Sequence, residues 1–350
     1  MRLRGLPWLC HPHPGRSLSA LLYRRPRLPF RRGGVVSRIA ESDVDLSIQL
    51  GPIALANPLM TASGTFGYGL EFSHLCDLSS LGAIVTKGLS LEPRRGNPPP
   101  RIAETRGGML NSIGLQNIGV ERFLADVLPG LGHFPPRVLV NVFGTTIDEY
   151  VRLAARLDRV ASVAGIELNV SCPNVQKGGL EFGQDPPILE TLVRAVRATT
   201  SKPILVKLSP NVTRPAELGQ AARSGGADIL SAINTVLGMA IDVRTRRPRL
   251  ATVKGGLSGP AIKPIALRVV FDVARAVGLP VVGIGGIESA EDVLEFVLAG
   301  ASAVQIGTAL FREPSAPERI LGDLRRLLAD QGIPKLADVV GAVQLPEGYR

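Results

Sequence analysis

The chain has 350 residues, of which 45% are hydrophobic and only 4% aromatic, a length that holds one large α/β barrel or two ordinary domains. Its formal charge of +10 is a feature of the start alone: residues 1–40 carry nine arginines and no acid, and the remainder holds 31 basic against 30 acidic residues, which gives no support to a basic nucleic-acid groove. Three cysteines, Cys10, Cys76 and Cys172, with no CxxC spacing, exclude a disulfide framework and argue against a structural zinc site, and they fit a reducing compartment.

Residues 1–40 read as a separate basic extension. Prolines recur from Pro7 to Pro29 and would break any long amphipathic helix. Three readings stay open: a transit-type presequence, a disordered basic tail, or a stretch that is not translated. No apolar run reaches the ~18 residues of a membrane span.

From residue 46 the pattern becomes strand, loop, helix, repeated. A short hairpin is expected first, Leu46–Leu50 and Ile53–Leu55 around Gly51-Pro52. Eight short apolar runs follow as strands: Pro58–Ser63, Ala83–Gly88, Val138–Phe143, Ile166–Ser171, Ile204–Ser209, Ile229–Thr235, Val281–Ile284 and Ala303–Ile306. Helical periodicity occupies Glu149–Val160, Pro187–Ala198, Pro215–Arg223, Pro264–Val277, Ala290–Leu298 and Pro317–Leu328, with Gly225, Gly278 and Gly300 placed as stops. Alternation over this length favours a single (β/α)₈ TIM barrel from 46 to 330, with inserted loops at its C-terminal face and a tail from 331 to 350. A doubly wound open sheet is the alternative, and no GxGxxG follows the first strand to support it.

Leu89–Asn117 is too long for a simple βα connection. It is apolar and amide-rich, so a pocket-covering element is expected there. The strand ends, where such barrels keep their active sites, collect isolated polar residues: Lys87, Asn141, Asn169, Lys207 and Asn234. Side-chain alternation turns Glu167 and Asn169 inward on the fourth strand and Lys207 inward on the fifth. A buried lysine needs a partner, so Glu167 or a bound anion is expected near it. Gly285-Gly286 and Gly307-Thr308 follow strands seven and eight, where backbone N–H groups often hold a phosphate. Cys172 sits where the fourth strand breaks into a loop. Position alone leaves a packing thiol and a reacting thiol equally open. The four histidines, His11, His13, His74 and His133, lack ligand spacing, so no metal is expected. Arg244–Arg247 reads as a solvated loop.

The segments Asn57–Gly69, Thr86–Ser90, Gly96–Arg101, Asn111–Asn117, Asn169–Asn174, Val206–Asn211, Ile233–Thr235, Gly255–Pro264 and Gly283–Ile287 resemble, in combination, the class 1 dihydroorotate dehydrogenases. Within that class they are most similar to the NAD-linked class 1B catalytic subunit. The resemblance covers about residues 46–312 and leaves out the first 40. It implies a TIM barrel that holds one FMN and oxidises (S)-dihydroorotate to orotate in pyrimidine biosynthesis, in the cytoplasm. It gives Cys172 the role of base at C5 of the substrate, while hydride passes from C6 to the flavin. Lys87, Asn111, Ser112, Ile113, Gly114, Leu115, Asn169, Asn234 and Thr235 carry over as substrate contacts. Ser63, Lys87, Gly88, Asn141, Asn169, Lys207, Ile233, Gly259, Gly285, Gly286, Gly307 and Thr308 carry over as FMN contacts, with Lys207 near N1. The resemblance further implies a homodimer of catalytic subunits joined to a partner subunit that carries FAD and a 2Fe–2S cluster and passes electrons to NAD⁺. This chain has no cysteine pattern for a cluster. A dihydropyrimidine dehydrogenase-like flavoenzyme, an IMP dehydrogenase-like nucleotide barrel and a flavin-free scaffold subunit are the competing readings.

Overall fold

The computed structural model describes residues 37–171, 173–174 and 180–349; Cys172 and most of the basic extension lie outside this set. The chain enters through a hairpin, β1 (Ile48–Leu50) and β2 (Ile53–Leu55). Its strict alternation buries Ile48, Leu50, Ile53 and Leu55 and leaves Gln49 and Ala54 outside. The turn at Gly51 packs on Ile229, the first residue of a barrel strand, so the hairpin plugs the N-terminal end of the barrel. Each fully buried Leu or Ile there is worth about 1.5–3 kcal/mol against exposure.

The barrel strands are β3 (Leu59–Thr61), β4 (Ala83–Val85), β7 (Arg137–Val142), β8 (Val163–Asn169), β11 (Ile204–Leu208), β12 (Ile229–Ala232), β17 (Val281–Ile284) and β18 (Ala301–Ile306). They close in that sequence order, every pair parallel. Both faces of such strands are covered, which is why they read as Val/Ile/Leu runs rather than as alternating patterns. All eight expected strands are present. Several stop short of their expected ends, because the chain turns outward before Lys87, Gly88, Asn234 and Thr235 and carries them as loop residues on the rim.

Helices α1 (Ile147–Asp158), α2 (Pro186–Arg197), α3 (Pro215–Ser224), α4 (Lys263–Val277), α5 (Ala290–Leu298), α6 (Ala309–Arg312) and α7 (Ala316–Asp330) surround the strands. Their starts are chemically marked. Thr146 accepts from Glu149 N at 3.3 Å, Asp185 accepts from Ile188 N at 3.1 Å, and Ser289 forms a reciprocal capping box with Asp292. The stop after α3 is a Gly-Gly pair in which Gly226, with φ 97°, takes the left-handed turn, rather than Gly225. A helical stretch of α and π turns, Val120–Arg122, Phe123–Val127 and Leu128–Leu131, follows β4, so the alternation fails once: β3 is followed only by the 3-10 turns Leu70–Phe72 and Leu78–Ser80.

Two insertions rise above the C-terminal rim. The first supplies β5 (Ile102–Thr105) and β6 (Gly108–Asn111); the second supplies β13 (Val236–Met239), the small pair β14 (Ile241–Asp242) and β15 (Arg247–Pro248), and β16 (Lys254–Ser258). They join into one antiparallel sheet, β13-β16-β6-β5, with Gly256 opposite Asn111. Ala103, Leu110 and Leu250 form its own small core. A third small pair, β9 (Pro173–Asn174) with β10 (Leu180–Glu181), stands beside the end of β8. The segment 331–349 is more than a tail. Leu336 is buried, Asp45 N donates to Pro334 O at 2.7 Å, and Gly341 N donates to Val297 O at 2.9 Å. No helix among the described residues is long and apolar enough to cross a membrane.

Candidate active site

The C-terminal rim and the inserted sheet enclose a cavity of about 850 Å³, within the range of pockets that hold a cofactor or substrate. Lys87 and Gly88 follow β4, Asn141 lies on β7, Asn169 ends β8 and Lys207 lies on β11. Ile233, Asn234 and Thr235 follow β12, while Gly285-Gly286 and Gly307-Thr308 follow β17 and β18. Ser63 comes from the loop after β3, Asn111, Ser112, Ile113, Gly114 and Leu115 from the first insertion, and Gly259 from the second. All of these residues line the one cavity. Among the expected site residues, Cys172 alone lies outside the described set.

On one side the cavity presents amides. Asn234 Nδ2 donates to Asn169 Oδ1 at 3.1 Å and to Ser171 Oγ at 3.0 Å, and its own Oδ1 accepts from Thr235 N at 2.8 Å. The Tyr150 hydroxyl, brought by α1, donates to Asn169 O at 2.6 Å. The chain is therefore pinned up to Ser171. Asn111 Nδ2 reaches Gly256 O at 3.3 Å and ties the first inserted segment to the second, while Asn97 Nδ2 reaches Ser112 O at 3.1 Å and braces the first from within. Amides with free donors and acceptors in several directions suit a ring that carries both.

Cations and glycine loops form a second wall, which adjoins the amides where Lys207 pairs with Asn169 across β8 and β11. Lys207 is 5% exposed, and its Nζ donates to Ser63 Oγ at 3.1 Å. Burial pulls its ammonium below the ordinary lysine range, and the charge of Glu167 pulls it back up. The expected closeness of Lys207 and Glu167 takes an indirect form. Among the described residues Glu167 makes no ion pair. Its carboxylate is held instead by Asn141 Nδ2, Ser231 Oγ and Gln305 Nε2 at 2.7, 2.8 and 2.8 Å, so the ammonium feels its charge without touching it. Burial, and then the nearby Arg101, pulls Lys87 below the ordinary lysine range, against the opposite effect of Glu71.

The glycine loops have no room for side chains. Gly286 has φ 75°, and a Cβ there would lie 2.8 Å from Lys263 Cβ and 2.9 Å from Gly259 O. Backbone alone fits at this point, which leaves the N–H groups open to an anionic group. Gly286→Ala is expected to lower unfolding free energy by about 1–3 kcal/mol and to weaken anion binding in the loop, measured by thermal melts with and without ligand.

A sequence model of the family described as dihydroorotate dehydrogenase matches residues 46–328. The chain belongs to that family. It is 56% identical over 300 residues, 86% of this chain and 99% of the relative, to a protein of Pelobacter propionicus named dihydroorotate dehydrogenase B (NAD(+)), catalytic subunit. It is likewise 56% identical over 301 residues, 86% of this chain and 99% of the relative, to a protein of the same name from Geobacter sulfurreducens. A crystal structure of the dihydroorotate dehydrogenase of Eimeria tenella in complex with ferulenol superimposes with a TM-score of 0.70 at 23% identity, covering 85% of this chain and 88% of that one. That likeness shows the fold.

Sequence reasoning missed several residues of this site. Ser231 and Gln305 sit in apolar runs and read as core, yet they hold Glu167. Glu181 also lines the cavity. It sits opposite Pro173 in the β9–β10 ladder, and burial pushes its carboxyl up against a hydrogen bond from Gln184. No spacing rule marks it. Cys76 packs partly buried, with its thiol pushed up to about 11 by burial, in keeping with a thiol that has no chemistry to do. Among the described residues no His/Cys/Asp/Glu group could hold a metal ion.

Proposed function

We propose that this family member oxidises (S)-dihydroorotate to orotate with FMN as its resident flavin and Cys172 as the base. The reading is carried by one observation: the same cavity joins an amide-lined wall to a wall of glycine loops and the buried Lys207. FMN fits the second wall. Asn141 Oδ1 is buried with no hydrogen-bond partner, which an N–H of a flavin ring would satisfy. Gly285, Gly286 and Gly307 could hold its phosphate through backbone N–H groups. When bound, FMN would supply the two-electron acceptor for the hydride that leaves substrate C6.

The chain's own residues do the rest. The Lys87 ammonium pairs with the substrate carboxylate, while Asn111, Asn169, Asn234 and Thr235 match the ring's donors and acceptors and fix its orientation. Ser112, Ile113, Gly114 and Leu115 close over it from the inserted sheet. Cys172 takes the proton from C5, and Lys207 offsets the negative charge that the cofactor gains on reduction. In the sequence, Lys177–Gly179 and Phe182-Gly183 beyond Cys172 suit either an ordinary loop or a lid; Lys177–Gly179 lie outside the described residues, and Phe182 and Gly183 are buried in a 3-10 turn.

The names of the relatives include "catalytic subunit" and NAD(+). We infer that electrons leave through a partner subunit carrying FAD and a 2Fe–2S cluster, on to NAD⁺, in a heterotetramer built on a dimer of this chain. Cysteine usage agrees with a cytoplasmic place in pyrimidine biosynthesis.

The deciding experiment is spectroscopic. The purified protein is expected to show a flavin spectrum that bleaches when dihydroorotate is added without oxygen. Absence of flavin, or bleaching by dihydrouracil only, would sink the reading. A pH dependence follows from Lys87. Carboxylate binding needs its protonated form, and that form is lost as pH rises through a pKa that burial holds below the usual lysine value. KM for dihydroorotate is therefore expected to rise with alkaline pH, starting lower than an ordinary lysine would allow, and Lys87→Arg should move the rise to higher pH. Steady-state kinetics across pH checks both.

A further inference from the structure

A carboxylate at the centre of a barrel is costly unless something there uses its charge. Glu167, in the middle of β8, is fully buried. Its hydrogen bonds come from three other strands, Asn141 on β7, Ser231 on β12 and Gln305 on β18, and all three donors are neutral. An ionised carboxylate can only accept. Both amides must therefore turn their NH₂ groups towards it and their carbonyl oxygens away. The consequence is visible: Asn141 Oδ1 and Gln305 Oε1 are both buried without partners. Asn141 lines the cavity, whereas Gln305 lies behind it. Lys207, across from Glu167 and bonded only to Ser63 among the described residues, completes the arrangement as the neighbouring positive charge.

We propose that Glu167 is a positioning residue that sets Asn141 as a hydrogen-bond acceptor towards the flavin and places a fixed negative charge behind Lys207, so tuning the potential of the bound cofactor. The inference rests on the FMN reading above. Hydrophobic packing alone would be served as well by an apolar side chain of the same volume, and no such side chain could orient two amides. Glu167→Gln keeps the shape but offers a donor on one side. One neighbouring amide must then turn round, and a turned Asn141 presents N–H groups to the cavity instead of a carbonyl oxygen.

The test is the midpoint potential of the bound flavin in full-length protein, measured by equilibration with redox dyes, together with FMN affinity by fluorescence quenching. Glu167→Gln is expected to move the potential in the positive direction, because a negative charge is gone, and to weaken FMN binding about tenfold, the equivalent of one good hydrogen bond. Ser231→Ala keeps the carboxylate and removes one of its donors, so its potential is expected to move the opposite way. A merely structural role would lower the melting temperature of both variants and leave the potentials where they are. Potentials equal to the parent's, or shifted in the same direction in both variants, overturn the proposal. If Glu167→Gln does not fold, Ser231→Ala decides alone: a negative shift supports the proposal, and no shift or a positive one overturns it. A parent protein that binds no flavin would instead defeat the FMN reading itself.

Discussion

Cys172→Ala is expected to keep its flavin and to lose about 10²–10⁴-fold in the rate of flavin reduction by dihydroorotate, the usual contribution of a positioned base. A free thiol titrates near 8.5, so a small depression gives a competent base at neutral pH. The backbone leading to it is set for this work. Asn169 is tied to Tyr150 and Asn234, and Ser171 Oγ accepts from Asn234, so the chain reaches position 172 from a fixed point on the cavity wall. Cofactor binding is proposed to draw on other residues, Lys207 and the glycine loops, and should survive the change. Anaerobic stopped-flow at the flavin absorbance measures the effect. Unchanged reduction kinetics would remove Cys172 from the base role. Cys172→Ser is expected to recover part of the rate at high pH only, because a hydroxyl gives up its proton far less readily.

Lys207→Met should separate stability from function. The ammonium is buried at a real desolvation cost, and Met fills similar space without that cost. Removing one of two buried opposite charges usually costs about 3–5 kcal/mol, because the other is left uncompensated, and here that loss opposes the desolvation that Met no longer suffers. Because Lys207 does not touch Glu167, the two effects largely offset, and the flavin-free protein is expected to melt close to the parent's temperature. Glu167 keeps its three neutral donors in this variant, so no hydrogen bond of the carboxylate is lost. Flavin reduction, by contrast, is expected to slow about 10²–10³-fold, because a preorganised charge facing the developing anion has been removed. Melting curves of the flavin-free protein and single-turnover reduction of the loaded one give the two halves. A large fall in stability with normal reduction would reverse the assignment.

The barrel was legible because its signals are local. Short Val/Ile-rich runs ending in turn residues, alternating with capped amphipathic segments, need no long-range information, and β17 and α5 have the expected bounds, Val281–Ile284 and Ala290–Leu298. The missing helix after β3 was hidden because the loop from 62 to 82 carries no helical period to count. The inserted sheet was hidden for another reason. Its strands are short and glycine-bearing, such as Lys254-Gly-Gly-Leu-Ser258, and become strands only by pairing with a segment about 145 positions away. The resemblance brought the cavity residues together, yet Ser231 and Gln305 escaped notice. A polar residue inside an apolar run announces itself only when its partner is known, and that partner, Glu167, was matched with Lys207 by charge instead.

The two-segment sheet above the rim has a bearing on how this enzyme matures. The barrel closes only where Val304 of β18 meets Leu59 of β3, whereas the wall above it exists only when Asn111 meets Gly256, 145 positions away. Loop-closure entropy grows only slowly with separation, so the two closures carry similar penalties and neither has to wait for the other. Both the floor and the upper wall of the cavity thus depend on contacts between distant parts of the chain. A chain that has not yet made both closures therefore has no complete cavity.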